Sequence, residues 1–234
     1  MMFLLLAYLI SILHLHNVAA LYTYYMDDTC NGTVDISDTN SIMLYLTKSS
    51  TYKPNMHCSL LISTTKYDQF MLYFKNIDIA SKQSGCTQDW LEVHDGNSLK
   101  SPFVAGISGR LCGSYISDTV RVSTGNNILL FFVSGSLYEE KGFDMVITQY
   151  HTGSCGAKEH SCRNGRCISD SLVCNGYNPC GDNSDCATSP NTEQIVVVIV
   201  SIFGSLLALL AISVLGYCIV RRCVMKVEMK YENI

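Results

Sequence analysis

Charge is scarce in this sequence, and basic charge scarcer still. Only 15% of the 234 residues are charged, and 16 Lys and Arg face 20 Asp and Glu for a net charge of −4. A nucleic-acid binder needs a basic patch to neutralise phosphates, and this balance supplies none. Catalytic signatures are missing as well. No G-x-S-x-G, H-E-x-x-H, P-loop or G-x-G-x-x-G pattern occurs, so the common nucleophilic, metalloprotease and nucleotide-dependent chemistries lack their residues. His57, His94, His151 and His160 are scattered without metal spacing, and no C-x-x-C pair is there to open a zinc site. These absences point away from an enzyme.

Polar residues are absent from one long stretch. Ile195–Val220 carries no Asp, Glu, Lys, Arg, Asn, Gln or Pro, and it exceeds the roughly 20 residues a helix needs to cross a bilayer. A buried helix of a soluble domain would show a polar face. Arg221, Arg222, Lys226 and Lys230 follow the run, which places the C-terminus on the cytoplasmic side. Met1–Ala20 carries a shorter apolar stretch, Phe3–Leu13, and then the small residues Val18-Ala19-Ala20, the pattern of a signal peptide cleaved after Ala20. The reading is a single-pass type I protein of the plasma membrane. Roughly 170 residues remain outside, enough for one ordinary domain and one small one.

Of the 12 cysteines, ten fall in this ectodomain: Cys30, Cys58, Cys86, Cys112, Cys155, Cys162, Cys167, Cys174, Cys180 and Cys186. An even set in an oxidising compartment reads as disulfides. Cys218 and Cys223 lie at the cytoplasmic edge of the span, stay reduced, and are candidates for S-acylation. Asn31-Gly32-Thr33 is an N-glycosylation sequon on the outer side.

The region from Cys30 to Tyr150 reads as β. In Gln69–Ile79, Phe70, Leu72 and Phe74 alternate with Met71 and Tyr73, and further strand candidates are Asp89–His94, Thr119–Ser123, Ile128–Val133 and Phe143–Tyr150. Asp95-Gly96-Asn97 and Gly125-Asn126-Asn127 supply turns, so an antiparallel sandwich is expected. Cys86-Thr-Gln-Asp89-Trp90-Leu91-Glu92-Val93-His94-Asp95-Gly96, Leu111-Cys112-Gly113 and Gly142-Phe143 with Tyr150 resemble the signature of CUB domains. The resemblance implies disulfides Cys30–Cys58 and Cys86–Cys112. Many CUB domains hold Ca²⁺ on three acidic positions, which here become Ala80, Asp89 and Gly135. One carboxylate is a poor cage for a cation that takes six to eight oxygens. Asp89 is therefore expected to be a satisfied turn or strand-end residue.

Cys155–Cys186 packs six cysteines into a segment too short for a conventional core. Six cysteines allow fifteen pairings, and spacing alone does not choose among them. Cys162-Arg-Asn-Gly165-Arg-Cys167-Ile168 and Cys174-Asn-Gly176, with Cys180-Gly-Asp182-Asn-Ser184-Asp185, resemble an LDL-receptor class A repeat. That family's bridging implies Cys155–Cys167, Cys162–Cys180 and Cys174–Cys186. Its acidic Ca²⁺ positions become Asn175, Pro179, Asp185 and Cys186, and its carbonyl positions Leu172 and Tyr177. With Asp182 as a spare, the set promises weak Ca²⁺ binding at most, so no cofactor is assigned.

The fold class expected is thus mainly β: a CUB-type sandwich (30–150), a class A module (155–186), a stalk (187–194), one helical span (195–220) and a tail (221–234) too short to fold. Ser201 and Ser205, and Gly204 and Ala208, stand four apart in the span, which allows lateral self-association. The chain's arrangement is similar to that of transmembrane CUB and class A proteins such as the neuropilin-and-tolloid-like auxiliary subunits. That implies an adaptor or co-receptor for an extracellular or same-membrane protein. The competing reading is an endocytic receptor, because Tyr231-Glu232-Asn233-Ile234 fits the Tyr-x-x-apolar sorting pattern, read with Tyr231 and Ile234 on extended backbone.

Overall fold

The computed structural model describes residues 21–81, 85–137, 139–186 and 192–231. The expected leader, residues 1–20, lies outside them, as do 187–191 of the stalk and 232–234 of the tail. Eleven strands are described: β1 (Tyr22–Tyr25), β2 (Gly32–Asp35), β3 (Ser41–Tyr45), β4 (His57–Ser63), β5 (Gln69–Asp78), β6 (Trp90–Asp95), β7 (Arg121–Val122), β8 (Asn127–Val133), β9 (Gly142–Thr152), β10 (Glu159–Ser161) and β11 (Arg166–Ser169).

β2, β4, β8 and β6 form one sheet in that order, and β1, β3, β9, β11 and β10 form a second, with β5 also on β9 and β7 on β5. β4 and β8 pair from His57↔Val133 to Ser63↔Asn127. The two-residue period of these strands sends Cys58, Leu60 and Ile62 inward to meet Leu130 and Phe132. From the facing sheet come Phe70, Leu72, Phe74, Met145 and Ile147, all in the same core. A sandwich results because each sheet has one apolar face to bury.

Two features depart from the sequence expectation. The sandwich starts before Cys30, since β1 pairs in parallel with β3 from Tyr22↔Ile42 to Tyr25↔Tyr45. Tyr-Thr-Tyr-Tyr has no apolar alternation to announce it. The second feature concerns Met71. It points to the outer face of β5, where the period places solvent, yet it is fully buried.

The second module explains that burial. β9 continues past its partner β3, and its last residues pair with β11 at Cys167↔His151 and Arg166↔Thr152. The small module thus extends the larger sheet. Met71 and Tyr150 then share a second apolar cluster with Cys162, Ile168, Leu172 and Cys180. Arg166 lies over the Tyr150 ring at 4.9 Å and donates from Nη1 to the Cys180 carbonyl at 3.0 Å. The Asn178 N–H donates to the Tyr73 hydroxyl at 3.2 Å. The described residues of the two modules, 21–186, fall in one compact unit, so the modules are not separate beads.

Helix α1 (Thr192–Tyr231, 40 residues) belongs to the second unit. Its Val200–Arg222 portion, 23 residues with mean hydropathy 2.3, is long and apolar enough to cross a membrane. Ser205 and Ser213 return their hydroxyls to the carbonyls of Ile202 and Leu210 at 2.8 and 2.7 Å, which satisfies them without water. The tail corrects an expectation. Far from being unfolded, it continues α1 to Tyr231, because Val224–Lys230 contains no Gly or Pro and includes the good helix formers Met, Lys and Glu. Tyr231 is therefore on helical, not extended, backbone. Of Cys218, Cys223 and Tyr231 only that backbone is described.

Candidate functional site

The cysteine pairs in the structure are Cys30–Cys58, Cys86–Cys112, Cys155–Cys167, Cys162–Cys180 and Cys174–Cys186, with Cα separations of 5.1, 5.5, 5.3, 5.6 and 4.7 Å. Each separation lies inside the usual Cα range of a disulfide. Asn31 is exposed in the turn before β2, where its Oδ1 accepts from the Ser59 N–H and hydroxyl at 3.3 and 2.9 Å.

Ala80, Asp89 and Gly135 do come together. Asp89 is 1% exposed, and both of its oxygens are engaged. Oδ1 accepts the Gly135 N–H at 2.8 Å, and Oδ2 accepts the Tyr52 hydroxyl at 2.6 Å. Tyr52 itself accepts the Ala80 N–H at 3.0 Å and is fully buried, edge-on to Phe132 at 5.1 Å. Burial, and then the hydrogen bond to Asp89, hold the phenol well above the ordinary tyrosine range. A Cβ on Gly135 would come within 3.2 Å of Asp89 Oδ1, leaving little room for a second acid. The lone carboxylate is answered by two donors, and this set does not fit Ca²⁺. Sequence reading missed Tyr52, which lies outside the motif and in no regular strand.

The class A positions are similarly occupied. Asn175 is 2% exposed, and its Oδ1 accepts the Tyr177 N–H at 3.0 Å. Asp185 is 4% exposed, and its Oδ2 accepts the Cys174 N–H at 3.1 Å. Asp182 caps the following turn, taking the Ser184 N–H at 3.1 Å and hydroxyl at 2.5 Å. Burial works against its ionisation, but the hydrogen bonds from Ser184 win and lower its pKa. Pro179 offers no side-chain oxygen. Asparagine and proline have replaced charge here, and the set again falls short of a Ca²⁺ cage.

Two other clusters have metal-ligand types: His160 with Cys162 and Cys180, and His151 and Glu159 with Cys167. All three cysteines are half-cystines, so neither group offers a thiolate. The second cluster instead joins the modules. His151 Nε2 meets Glu159 Oε2 at 2.9 Å while Nδ1 faces the Thr152 carbonyl at 3.2 Å. With an acceptor at each nitrogen the imidazolium is favoured, and Glu159 above all raises its pKa. Glu159 also takes the Gly156 N–H at 2.6 Å, the leading cause of its own lowered pKa. Tyr67, 4% exposed, stacks on His151 at 5.4 Å, and burial followed by Glu159 pushes it up to about 12.

The family model for the CUB domain matches residues 24–146. The chain is a CUB-domain protein. A second family model, the low-density lipoprotein receptor domain class A, matches residues 153–188. The chain is similar to tolloid-like protein 1 of Homo sapiens, 37% identical over 107 residues, which is 46% of this chain and 10% of that protein. It is also similar to cubilin of Canis lupus familiaris, 30% identical over 105 residues, 45% of this chain and 3% of that protein. The chain thus spans a tenth or less of these relatives. Among solved structures, the extracellular region of zebrafish Gpr126/Adgrg6 overlaps with a TM-score of 0.42 at 23% identity, covering 52% of this chain and 15% of that one. CUB and class A domains are protein-interaction modules and are not themselves catalytic.

Proposed function

We propose that this protein is a type I adaptor or co-receptor of the plasma membrane, with its CUB and class A modules outside the cell binding another protein and no enzymatic activity of its own. The observation that carries the reading is the fusion of two interaction modules through β9 and β11 into one body, in a chain that also holds an apolar helix long enough to cross a membrane. Such a body presents one preorganised surface, which lowers the ordering cost of binding. Recognition would proceed without Ca²⁺, since Asp89 and Asn175 hold protein donors. Crosslinking the full chain on cells and identifying captured membrane proteins tests this, and capture of soluble cargo alone would favour uptake. Tyr231→Ala separates the two readings, because unchanged surface level and internalisation would remove the endocytic one.

A further inference from the structure

We propose that the outer face of the larger sheet carries a docking site for a basic side chain, an arginine or lysine of a protein partner, centred on Asp144. This rests on the protein-binding reading above and assigns the place and chemistry of contact.

The strand registers build the site. Tyr25 lies opposite Tyr45, and Tyr45 opposite Asp144, so three neighbouring strands present ring, ring and carboxylate in one row. The two rings stack at 5.7 Å. From the second module Tyr177 reaches the same neighbourhood, with the Lys75 ammonium over its ring at 5.0 Å, and the hydrogen bond from Asn178 to Tyr73 holds that loop in place. All four tyrosines are partly exposed, so the rings are available.

Asp144 is half-buried and has no ion-pair partner among the described residues. Lys75 is the cation whose charge acts on Asp144, yet its ammonium lies over the Tyr177 ring. Burial holds the Asp144 carboxyl above the usual carboxylate range, with Lys75 only partly offsetting it. A carboxylate that gives up water and keeps only its own backbone N–H as a hydrogen-bond partner favours an incoming cation. Guanidinium suits these walls best, since it forks onto a carboxylate while its plane lies against an aromatic face. An apolar segment would bury the charge unpaired, and an anion would be repelled. One carboxylate is too few for a divalent metal.

The test uses the full chain in detergent micelles, with 13C-labelled aspartate and tyrosine followed by NMR. The probe is N-acetyl-arginine amide, with N-acetyl-norleucine amide as the uncharged control. The arginine probe should give weak, saturable shifts of Asp144 and Tyr45, and the control none. Asp144→Asn and Tyr45→Leu should each weaken binding by about fivefold or more, while Tyr45→Phe keeps it, because the ring face is what contacts the cation. Lys75→Ala should strengthen binding by removing the resident competitor, which guards against a variant that fails only because it misfolds. Shifts equal for both probes, none at Asp144, or affinity untouched by Asp144→Asn would overturn the proposal. Undiminished crosslinking of a partner by Asp144→Asn would overturn it too, yet leave the protein-binding reading intact. If the native chain captures no partner, that reading falls, and the arginine probe still decides the site.

Discussion

The join between the modules should tighten in acid. His151 donates to Glu159 at 2.9 Å across the seam, and both side chains are mostly buried, at 22% and 17% exposure. Tyr67, Asp68 and Asp170 also face this cluster, with Lys66 over the Tyr67 ring at 5.2 Å as the opposing charge. Because the folded pKa of His151 is raised above its ordinary 6.5, its contribution is complete below that value and is lost as pH rises through the folded pKa. A charged hydrogen bond of this partial burial lies between an exposed pair and a buried one, at about 1 kcal/mol. That corresponds to roughly a fivefold change in the opening equilibrium of the seam. Amide exchange of Arg166–Ser169, corrected for intrinsic rates, reads it directly, since these residues pair with β9 and β10. Protection should be highest near pH 5 and fall about fivefold by pH 8, and His151→Gln or Glu159→Gln should flatten the profile. Protection that rises with pH, or a slope that survives both substitutions, would refute the reasoning.

Three further outcomes follow from the buried contacts. Tyr52→Phe removes the donor to Asp89 Oδ2 and should cost about 2 kcal/mol, seen as a midpoint a few degrees lower in thermal unfolding. Excess EGTA should leave that midpoint of the wild-type protein unchanged, whereas a fall on chelation would show a metal site the side chains do not suggest. Gly181→Ala meets Arg166 Nη1 at 2.6 Å and Val120 Cγ1 at 3.0 Å from a backbone φ of +78°. It should raise exchange at the seam, with Ile128–Val133 in the sandwich core unchanged.

Much of the architecture was legible because it follows from local pattern. The alternation of Phe70, Leu72 and Phe74, the β8 run and the Cys-x-x-Asp signature each carry their own reading; the first two fall in the sandwich core and its strands, and the signature forms the bend that leads into β6. Other features left no local trace. β1 is a row of tyrosines and threonine with no fully buried residue, held by backbone pairing with β3 and by Tyr24 packed on the edge of the core. Tyr52 sits in an irregular segment, and only the chain's path brings it to Asp89. The tail's helicity comes from the long helix already nucleated ahead of it, so a short segment propagates where alone it would not start.

What the sequence determined by itself was compositional: an apolar helix, a mainly β domain and a small domain whose cysteines stand in for a core; the family resemblance added two metal positions left with one carboxylate each, Asp89 and Asp185. Those properties depend on residue type and spacing, which the chain displays directly. Only the tertiary structure decided what replaced the missing acids and how the modules meet. Tyr52, Gly135 and the Tyr177 amide supply the answering donors, while Met71 and Tyr150 turn from solvent-facing strand residues into an interface. These are long-range matters, because a hydrogen bond or a packed face depends on residues far apart in sequence meeting at contact distance.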